Sequence, residues 1–209
     1  MSVFTYTTIQ QPTEGIYKEK GSKFLGFAYP VNSEAEVKQK IEQLKKEYFD
    51  ARHHCFAWML GPERKHFRAF DDGEPNHSAG DPILGQIRSK GVTNILVVVV
   101  RYFGGVKLGV GGLIGAYKAA AEDALAKATI IEKDVTEEVI VSFDYLLTAD
   151  VMRTIKELDL KIIEQKFDEG CSIKLNVPSK QKENLLSRLS LMKAMGKAIK
   201  WTYSENNNL

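Results

Sequence analysis

Residues 93–127 read TNILVVVVRYFGGVKLGVGGLIGAYKAAAEDALAK, and this stretch decides the fold. Its β-branched and aliphatic run at 95–100 is short enough for a strand that is buried on both faces. Beyond Phe103, five glycines and Lys107 come directly before a helical pattern. Apolar residues, most of them small, recur in that pattern at spacings of three and four and predict a closely packed helix face: Leu113, Ala116, Tyr117, Ala120, Ala124 and Ala128.

The glycine loop, residues 101–112, has a composition that suits an anion. A glycine-rich bend ahead of a helix exposes backbone N–H groups beside the positive end of the helix dipole. The alternative is that these glycines serve only a tight turn and close strand–helix packing. The loop is not a Walker A motif, because no Ser or Thr follows a Gly-Lys pair, and its glycine spacing is not that of a dinucleotide fingerprint.

A second unusual stretch is the acidic loop, residues 71–80, whose Gly and Pro residues forbid regular structure. Asp71, Asp72 and Glu74 lie close to His77, a set that could hold a hard divalent cation or do acid–base work. Alternatively, the carboxylates cap turns and the start of the next helix, predicted from Pro82 to Ser89 and stopped by Gly91. A third reading is that one of them pairs with Arg101 or Lys107, so that the two loops form one joint site.

Composition sets broad limits on the function. The chain of 209 residues suits one large domain or two small ones, and its 44% hydrophobic and 27% charged content is that of an ordinary globular protein. A net charge of +2 neither favours nor excludes binding of a nucleic acid.

Cys55 and Cys171 are predicted to be buried and free, and to form neither a disulfide nor a metal site. The sequence shows no secretory signal and no run long enough to span a membrane, so we expect a soluble, cytoplasmic protein.

The rest of the N-terminal part predicts a mixed α+β domain. Ser33 and Glu36 form a capping box that starts a helix ending near residue 49. Adjacent strand residues point to opposite faces, so His53 and His54 cannot hold one metal together. Residues 130–134 read as a short connector. Strands are predicted at 15–20, 23–31, 52–60 and 64–70.

From Thr136 the predicted order is βαββαβ, which fits a ferredoxin-like sandwich. Thr148 is predicted to cap the first helix, residues 168–170 to form a hairpin turn, and the tail at 206–208 to be frayed. Domains of this type also act as amino-acid sensors, dimerisation modules or RNA-contacting modules, and the sequence does not separate these roles. The predicted elements are strand 138–145, helix 148–158, strand 161–167, strand 171–177, helix 181–189 and strand 198–203.

Three segments together resemble the Impact/YigZ family: RHHCFAWMLG at 52–61, DDGEPNHSAGDPIL at 71–84 and VVVVRYFGGVKLGVGGL at 97–113. The resemblance covers essentially the whole chain, including a C-terminal domain of the kind that bacterial members carry. It implies an α+β protein with an Impact-type N-terminal domain at 1–133 and a ferredoxin-like domain at 134–209. The first should resemble domain IV of elongation factor G, a ribosomal-protein-like βαβ fold, and the second domain V.

The resemblance also implies where a site would lie. The family pattern corresponds, in the acidic loop, to Asp71, Asp72, Gly73, Glu74, Pro75 and Gly80. In the glycine loop it corresponds to Arg101, Tyr102, Phe103, Gly104, Gly105, Lys107, Leu108 and Gly109. This chain departs from the pattern at Asn76-His77-Ser78, where relatives often read Ser-Gly-Thr. It departs again at Gly115, where Arg is common and would add a positive charge to the first helical turn.

Two functions follow as hypotheses. The resemblance to bacterial members implies a translation-associated binding protein that contacts RNA or the ribosome. For such a protein we expect no DNA sequence readout, no cofactor and no metal. Arg101 and Lys107 would bind phosphates, and Tyr102 or Phe103 would stack on a base, although strand alternation allows only one of the two to face outward.

The alternative is an enzyme or small-ligand protein for a phosphorylated metabolite. In that case the acidic loop would supply a base or hold Mg²⁺. An enzyme is the less favoured of the two hypotheses, and no catalytic residue is assigned.

Eukaryotic members of the family that this chain resembles act in translational control under amino-acid starvation through an additional N-terminal module. We expect this chain to lack that module, so no kinase-regulating role is expected. The identity of the RNA or ligand, the oligomeric state and the role of the C-terminal domain stay undetermined by the sequence.

Overall fold

The protein is represented by a computed structural model that describes residues 3–167 and 170–203. These residues form two compact units, one over residues 5–133 and the other from residue 134 onward together with residues 3–4. Both units combine helices with antiparallel sheets, so the predicted α+β class is confirmed. The division into an Impact-type domain at 1–133 and a ferredoxin-like domain at 134–209 stays a prediction.

The N-terminal unit is built on one five-stranded sheet. Its elements in chain order are β1 (Thr5–Ile9), β2 (Thr13–Glu19), β3 (Ser22–Pro30), α1 (Glu34–Glu47), β4 (His53–Leu60), β5 (His66–Phe70), α2 (Gly80–Lys90), β6 (Ile95–Tyr102), α3 (Gly109–Ala126) and β7 (Ile130–Asp134). The sheet order is β2-β3-β6-β4-β5, and every neighbouring pair is antiparallel. Strand β6 therefore lies in the centre.

Strand β6 is buried on both faces, as its composition predicts. Ile95, Val97 and Val99 belong to the hydrophobic core that contains residues of α2 and α3. The alternate residues of the strand, 96, 98 and 100, belong to a second core that contains residues of α1. All six residues from 95 to 100 have no exposed surface, which explains why the run lacks polar alternation.

Helix α3 packs very close to the sheet, because its buried stripe is mostly alanine. A Cβ atom added to Gly26 of β3 would lie 2.4 Å from the carbonyl oxygen of Ala120, and one added to Gly15 of β2 would lie 2.3 Å from the backbone nitrogen of Ala124. The predicted small-residue face is confirmed, and glycines on the strands complete the close approach. Ala128 follows the end of the helix and packs against the same core.

The predicted connector at residues 130–134 is wrong. This segment is strand β7, which pairs with β1 in a two-stranded sheet. The segment is short and largely polar, so it carries no strong local signal for a strand. Its partner lies more than 120 residues earlier in the chain, and only the folded unit brings the two together.

The C-terminal unit has the predicted βαββαβ order. It comprises β8 (Thr136–Phe143), α4 (Thr148–Glu157), β9 (Lys161–Phe167), β10 (Cys171–Pro178), α5 (Lys182–Ala194) and β11 (Ile199–Tyr203). The sheet order β11-β8-β10-β9, with antiparallel neighbours, is that of a ferredoxin-like sandwich. The predicted turn at 168–170 falls mostly on residues outside the described range, and the tail at 206–208 lies outside it as well.

Helix capping follows the sequence in one case and departs from it in another. The Ser33 side chain accepts from the backbone N–H of Glu36 at 3.3 Å, so the predicted cap of α1 is confirmed. Thr148 does not cap α4, because its hydroxyl donates to the Tyr145 carbonyl at 2.6 Å. A short 3-10 turn at Tyr145–Leu147 precedes α4, and Asp144 caps that turn.

Cys55 and Cys171 are both buried and free, as predicted from their apolar surroundings in the sequence. Among the helices of residues 3–167 and 170–203, none is long and apolar enough to cross a membrane.

Candidate functional site

The acidic loop is shaped by its own first carboxylate. Asp71 accepts hydrogen bonds from the backbone N–H groups of His77 at 2.9 Å, Ala79 at 3.0 Å and Gly80 at 2.8 Å. These bonds satisfy donors at the beginning of α2, which explains why the helix starts at Gly80, two residues before the predicted Pro82. The reading in which the carboxylates cap the turn and the helix start is confirmed for Asp71.

Asp72 also supports the backbone. Its carboxylate accepts from the N–H of His54 at 2.7 Å and lies 3.7 Å from the Lys45 ammonium. The residue has φ of +45°, a left-handed conformation that Asp tolerates better than most residues, and Gly73 follows with φ of +85°. Asp72 therefore ties the loop to the start of β4.

Glu74 differs from both neighbours because it is buried and paired. Its Oε1 accepts from Arg101 Nη1 at 2.5 Å and from the Tyr117 hydroxyl at 2.7 Å. Only 8% of Glu74 and 6% of Arg101 are exposed. The prediction that an acid of this loop pairs with Arg101 is confirmed for Glu74, and the joint site that such a pair implies stays a prediction.

Tyr117 extends this network into the core. Cys55 Sγ lies 3.3 Å from the Tyr117 hydroxyl oxygen and 2.9 Å from the Asp71 carbonyl oxygen. Burial, the largest cause, raises the pKa of the Tyr117 phenol and of the Cys55 thiol, so both groups keep their protons at neutral pH. The sequence pattern places Tyr117 in the apolar stripe and gives no role to its hydroxyl. The available signal was a tyrosine within an alanine-rich buried face, where a phenol needs a partner.

Arg101 is enclosed by aromatic rings. Its guanidinium carbon lies 5.5 Å from the centre of the Phe24 ring and 5.6 Å from the centre of the Phe103 ring. Its Nε is buried and has no hydrogen-bond partner among the described residues. Arg101 thus lies beneath Phe103 with Nη1 engaged by Glu74, and direct binding of an anion by Arg101 stays a prediction.

The two aromatic residues after Arg101 have different surroundings. The Tyr102 hydroxyl donates to Asp50 at 2.7 Å, and this hydrogen bond raises the pKa of Tyr102 to about 12. Phe103 has 51% of its surface exposed. The prediction that at most one of the two could serve as a stacking platform therefore points to Phe103.

The glycines of the loop have separate roles. A Cβ on Gly104 would lie 1.9 Å from the carbonyl carbon of Gly21, so glycine is required there by backbone contact. Gly105 and Gly109 have φ of +87° and +72°, as a tight turn requires. This supports the turn-and-packing reading for these three positions. Binding of an anion at the start of α3, whose first turn includes Gly111, stays a prediction.

Helix α3 begins without a cap. Leu108 occupies the N-cap position and makes no side-chain hydrogen bond, and the first turn contains no acidic residue. Among the described residues, no side chain caps its first N–H groups, which lie at the positive end of an 18-residue helix. Gly115 lies in the second turn, so the expectation that an Arg there would add charge to the first turn is wrong.

The acidic and glycine loops border a cleft of about 450 Å³. Arg52, His53, Glu74, Arg101 and Lys107 line it together with the first turn of α3. Arg52 and Lys107 are exposed and form no ion pair within the described parts of the chain. Arg52 and His53 are cleft residues that the sequence does not predict. Arg52 precedes β4 and His53 begins it, and only the order of the sheet brings that strand next to the glycine loop.

The arrangement of acids gives no evident metal centre. In residues 3–167 and 170–203, no group of three His, Cys, Asp or Glu side chains is placed to hold a metal ion. Asp71 and Asp72 accept from backbone N–H groups, and Glu74 accepts from Arg101 and Tyr117. The three carboxylates thus serve three different parts of the structure.

His54 makes the stability of the N-terminal unit depend on pH. Burial lowers the pKa of His54 from its ordinary value of 6.5 and outweighs the opposite effect of Asp72. The unfolded chain then takes up the proton at a higher pH than the folded one, so the free energy of unfolding falls as the pH drops below about 6.5. We expect the melting temperature to fall between pH 7.5 and 5.5, and to fall less in His54→Gln.

The control for this prediction is His66→Gln, which removes an exposed histidine. Melting curves of the wild type and both variants across this pH range provide the measurement. If His54→Gln retained the full pH dependence, burial of His54 would not be its cause.

Comparison with known proteins identifies similar chains. Residues 20–125 match the Impact N-terminal domain family. The IMPACT family member YvyE of Bacillus subtilis (strain 168) is 29% identical over 177 residues, 85% of this chain and 82% of that protein. The IMPACT family member YigZ of Escherichia coli (strain K12) is 32% identical over 181 residues, 86% of this chain and 89% of that protein. A crystal structure described as that of a hypothetical protein matches 99% of this chain and 100% of its own, with a TM-score of 0.75 and 27% identity.

Proposed function

The chain belongs to the IMPACT family, and from this membership we propose that it is a translation-associated protein that binds structured RNA or the ribosome. The proposed contact surface is the cleft of the N-terminal unit together with the exposed part of the glycine loop. The role is one of binding, and no chemical reaction is assigned to it.

The observation that carries the proposal is the uncapped start of α3 beside two exposed cations. Backbone N–H groups at a helix N-terminus favour a phosphate oxygen, and they do so without reading sequence. Lys107 and Arg52 line the same cleft and form no ion pair with the described residues. Together these groups offer hydrogen-bond donors and positive charge to a nucleic-acid backbone.

Phe103 supplies a second type of contact. Its ring is half exposed at the edge of the cleft, where an unpaired base can stack on it. Arg101 contributes from below the ring as a buried cation. Its pairing with Glu74 gives it a structural role in addition to any role in binding.

The alternative, an enzyme acting on a phosphorylated metabolite, receives less support. It needs an acidic residue that is free to take a proton or hold Mg²⁺. Asp71 and Asp72 are engaged by backbone N–H groups, and Glu74 is paired with Arg101. No contact among the described residues favours this alternative over binding.

The test is co-sedimentation with ribosomes at low and moderate salt. We expect wild-type protein to bind at low salt and to lose affinity as salt rises, because phosphate contacts release counterions. Arg52→Ala/Lys107→Ala should weaken binding by roughly tenfold and reduce the slope of log K against log salt by about 1–2.

The matched control is Lys38→Ala/Lys118→Ala, which removes two exposed lysines from helices of the same unit and leaves the cleft unchanged. This variant should bind like the wild type. Equal binding by both double variants would place the contact surface elsewhere, and no binding by the wild type at any salt would overturn the proposal.

A further inference from the structure

The cleft of the N-terminal unit carries an excess of positive charge. Arg52, Arg101 and Lys107 provide three cations, and Glu74 is the carboxylate that lines the cleft with them, which leaves a formal charge of +2. An internal phosphodiester carries one negative charge, whereas a phosphomonoester carries about −1.5 to −2 at pH 7. The charge of the cleft therefore matches a phosphomonoester better than an internal phosphate.

Arg101 adds an unsatisfied donor to this site. Its side chain is 8% exposed, and its Nη1 is taken by Glu74. Its Nε is buried without a hydrogen-bond partner in the described parts of the chain. A guanidinium binds carboxylate or phosphate through two parallel N–H groups, so a buried Nε without an acceptor favours an anion next to Arg101.

The start of α3 adds donors from the backbone. No side chain in the described part of the protein caps the helix, and its first turn contains no acid. Gly109 and Val110 of this turn line the same cleft as Arg101. The helix terminus and the buried guanidinium are independent features that favour the same kind of ligand. Both are suited to the several oxygens of a terminal phosphate.

The cleft also has room for a group attached to the phosphate. Its volume of about 450 Å³ lies within the range of small-molecule sites, about 300–1,000 Å³. Phe103, Leu108 and Leu113 give it apolar walls, and the Phe103 ring is half exposed. A flat ring fits this combination of apolar walls and an aromatic face.

We propose that the cleft binds a phosphomonoester attached to a nucleoside, recognised by the α3 N-terminus, Arg101 and Lys107. This inference rests on the proposed function and deepens it, because it specifies the phosphorylated end of an RNA chain in place of its internal phosphates. The same chemistry occurs in a free nucleoside monophosphate, so the test separates the two sources.

The test uses the full chain and fluorescence anisotropy with a labelled RNA decamer of one sequence. The decamer carries either a phosphate or a hydroxyl at its unlabelled end, and both the 5′ and the 3′ series are measured. A terminal phosphate at one of these ends should increase affinity at least tenfold. Nucleoside monophosphate should compete with the phosphorylated decamer, and the unphosphorylated nucleoside should not.

A charge-reversing variant locates the effect in the cleft. Val110→Asp places a carboxylate in the first turn of α3. There the negative charge stabilises the helix through its dipole but repels an anion in the cleft. This variant should lose the preference for the phosphorylated end. Ile114→Asp puts the same carboxylate one helical turn further on, at an exposed position that does not line the cleft. This variant should keep the preference for the phosphorylated end. Melting curves of both variants confirm that they are folded.

The outcomes separate this inference from the proposed function. Ribosome binding with equal affinity for phosphorylated and unphosphorylated decamers would overturn the inference and leave the proposed function standing. Nucleoside monophosphate binding without binding to RNA or ribosomes would support the phosphomonoester site and overturn the RNA function. A preference that Val110→Asp retains would overturn the assignment to this cleft.

Discussion

Arg101→Ala is expected to destabilise the N-terminal unit by about 3–5 kcal/mol, because it leaves the Glu74 carboxylate buried without its charge partner. Glu74 and Arg101 expose only 4% and 8% of their side chains, so the ion pair is largely shielded from water. The Tyr117 hydroxyl would continue to donate to Glu74, but one neutral hydrogen bond does not compensate a buried charge. Arg101, which corresponds to an arginine of the family pattern, is thus expected to stabilise the fold strongly.

Urea unfolding provides the measurement. Trp58 is buried in the N-terminal unit, so its fluorescence in a Trp201→Phe background follows that unit. Arg52→Ala removes an exposed arginine from the same cleft and should change stability by no more than about 0.5 kcal/mol. A loss below about 1 kcal/mol for Arg101→Ala would show that the pair contributes little to folding.

Arg101→Ala is an unsuitable variant for measurements of ribosome binding. If Arg101→Ala unfolds part of the protein, loss of ribosome binding in that variant does not identify a phosphate contact. Arg52 and Lys107 are exposed, and their substitution tests binding without removing a buried ion pair. Binding experiments on this cleft should therefore use these two residues.

Gly26→Ala is expected to destabilise the same unit by about 1–3 kcal/mol through overpacking. The added Cβ would lie 2.4 Å from the Ala120 carbonyl oxygen and 3.1 Å from its carbonyl carbon. These are backbone atoms of α3, so no side chain can rotate away. The helix must move off the sheet, and that movement would disturb the buried stripe and the position of Tyr117.

Gly115→Ala is the matched control, since a Cβ at that position of α3 meets no atom of residues 3–167 and 170–203 within 4 Å. Alanine is the better helix former, so this variant should gain up to about 0.5–1 kcal/mol. The two Gly→Ala changes should thus differ in sign in the same urea experiment. A neutral Gly26→Ala would mean that the sheet and α3 can separate at little cost.

Much of the fold could be predicted from local patterns. The run at 95–100 indicates a strand buried on both faces because it contains no polar residue. The Ser33 cap of α1 and the stop of α2 at Gly91 follow from side-chain and backbone rules that act over a few residues. Strand β7 could not be predicted in this way, because its extended conformation becomes evident from its pairing with strand β1 in the folded unit.

The site was predictable in outline only. Both loops were recognised as unusual from their glycine, proline and acidic residues, and a pair between them was one of the readings. Which acid forms that pair depends on position in the folded unit: Asp71 and Asp72 accept from backbone N–H groups, and Glu74 reaches Arg101. Adjacent residues with the same charge thus acquired different roles.

The sequence by itself determined the α+β class, the βαββαβ order of the C-terminal unit and the two loops that border the cleft. These depend on hydrophobic periodicity and turn residues, which act locally along the chain. Only the tertiary structure decided that Arg101 is buried, that Glu74 and Tyr117 meet it, and that Arg52 joins the cleft. Strand pairing places Arg101 opposite Phe24 on one side and His53 on the other, and such register between distant segments arises only when the sheet assembles.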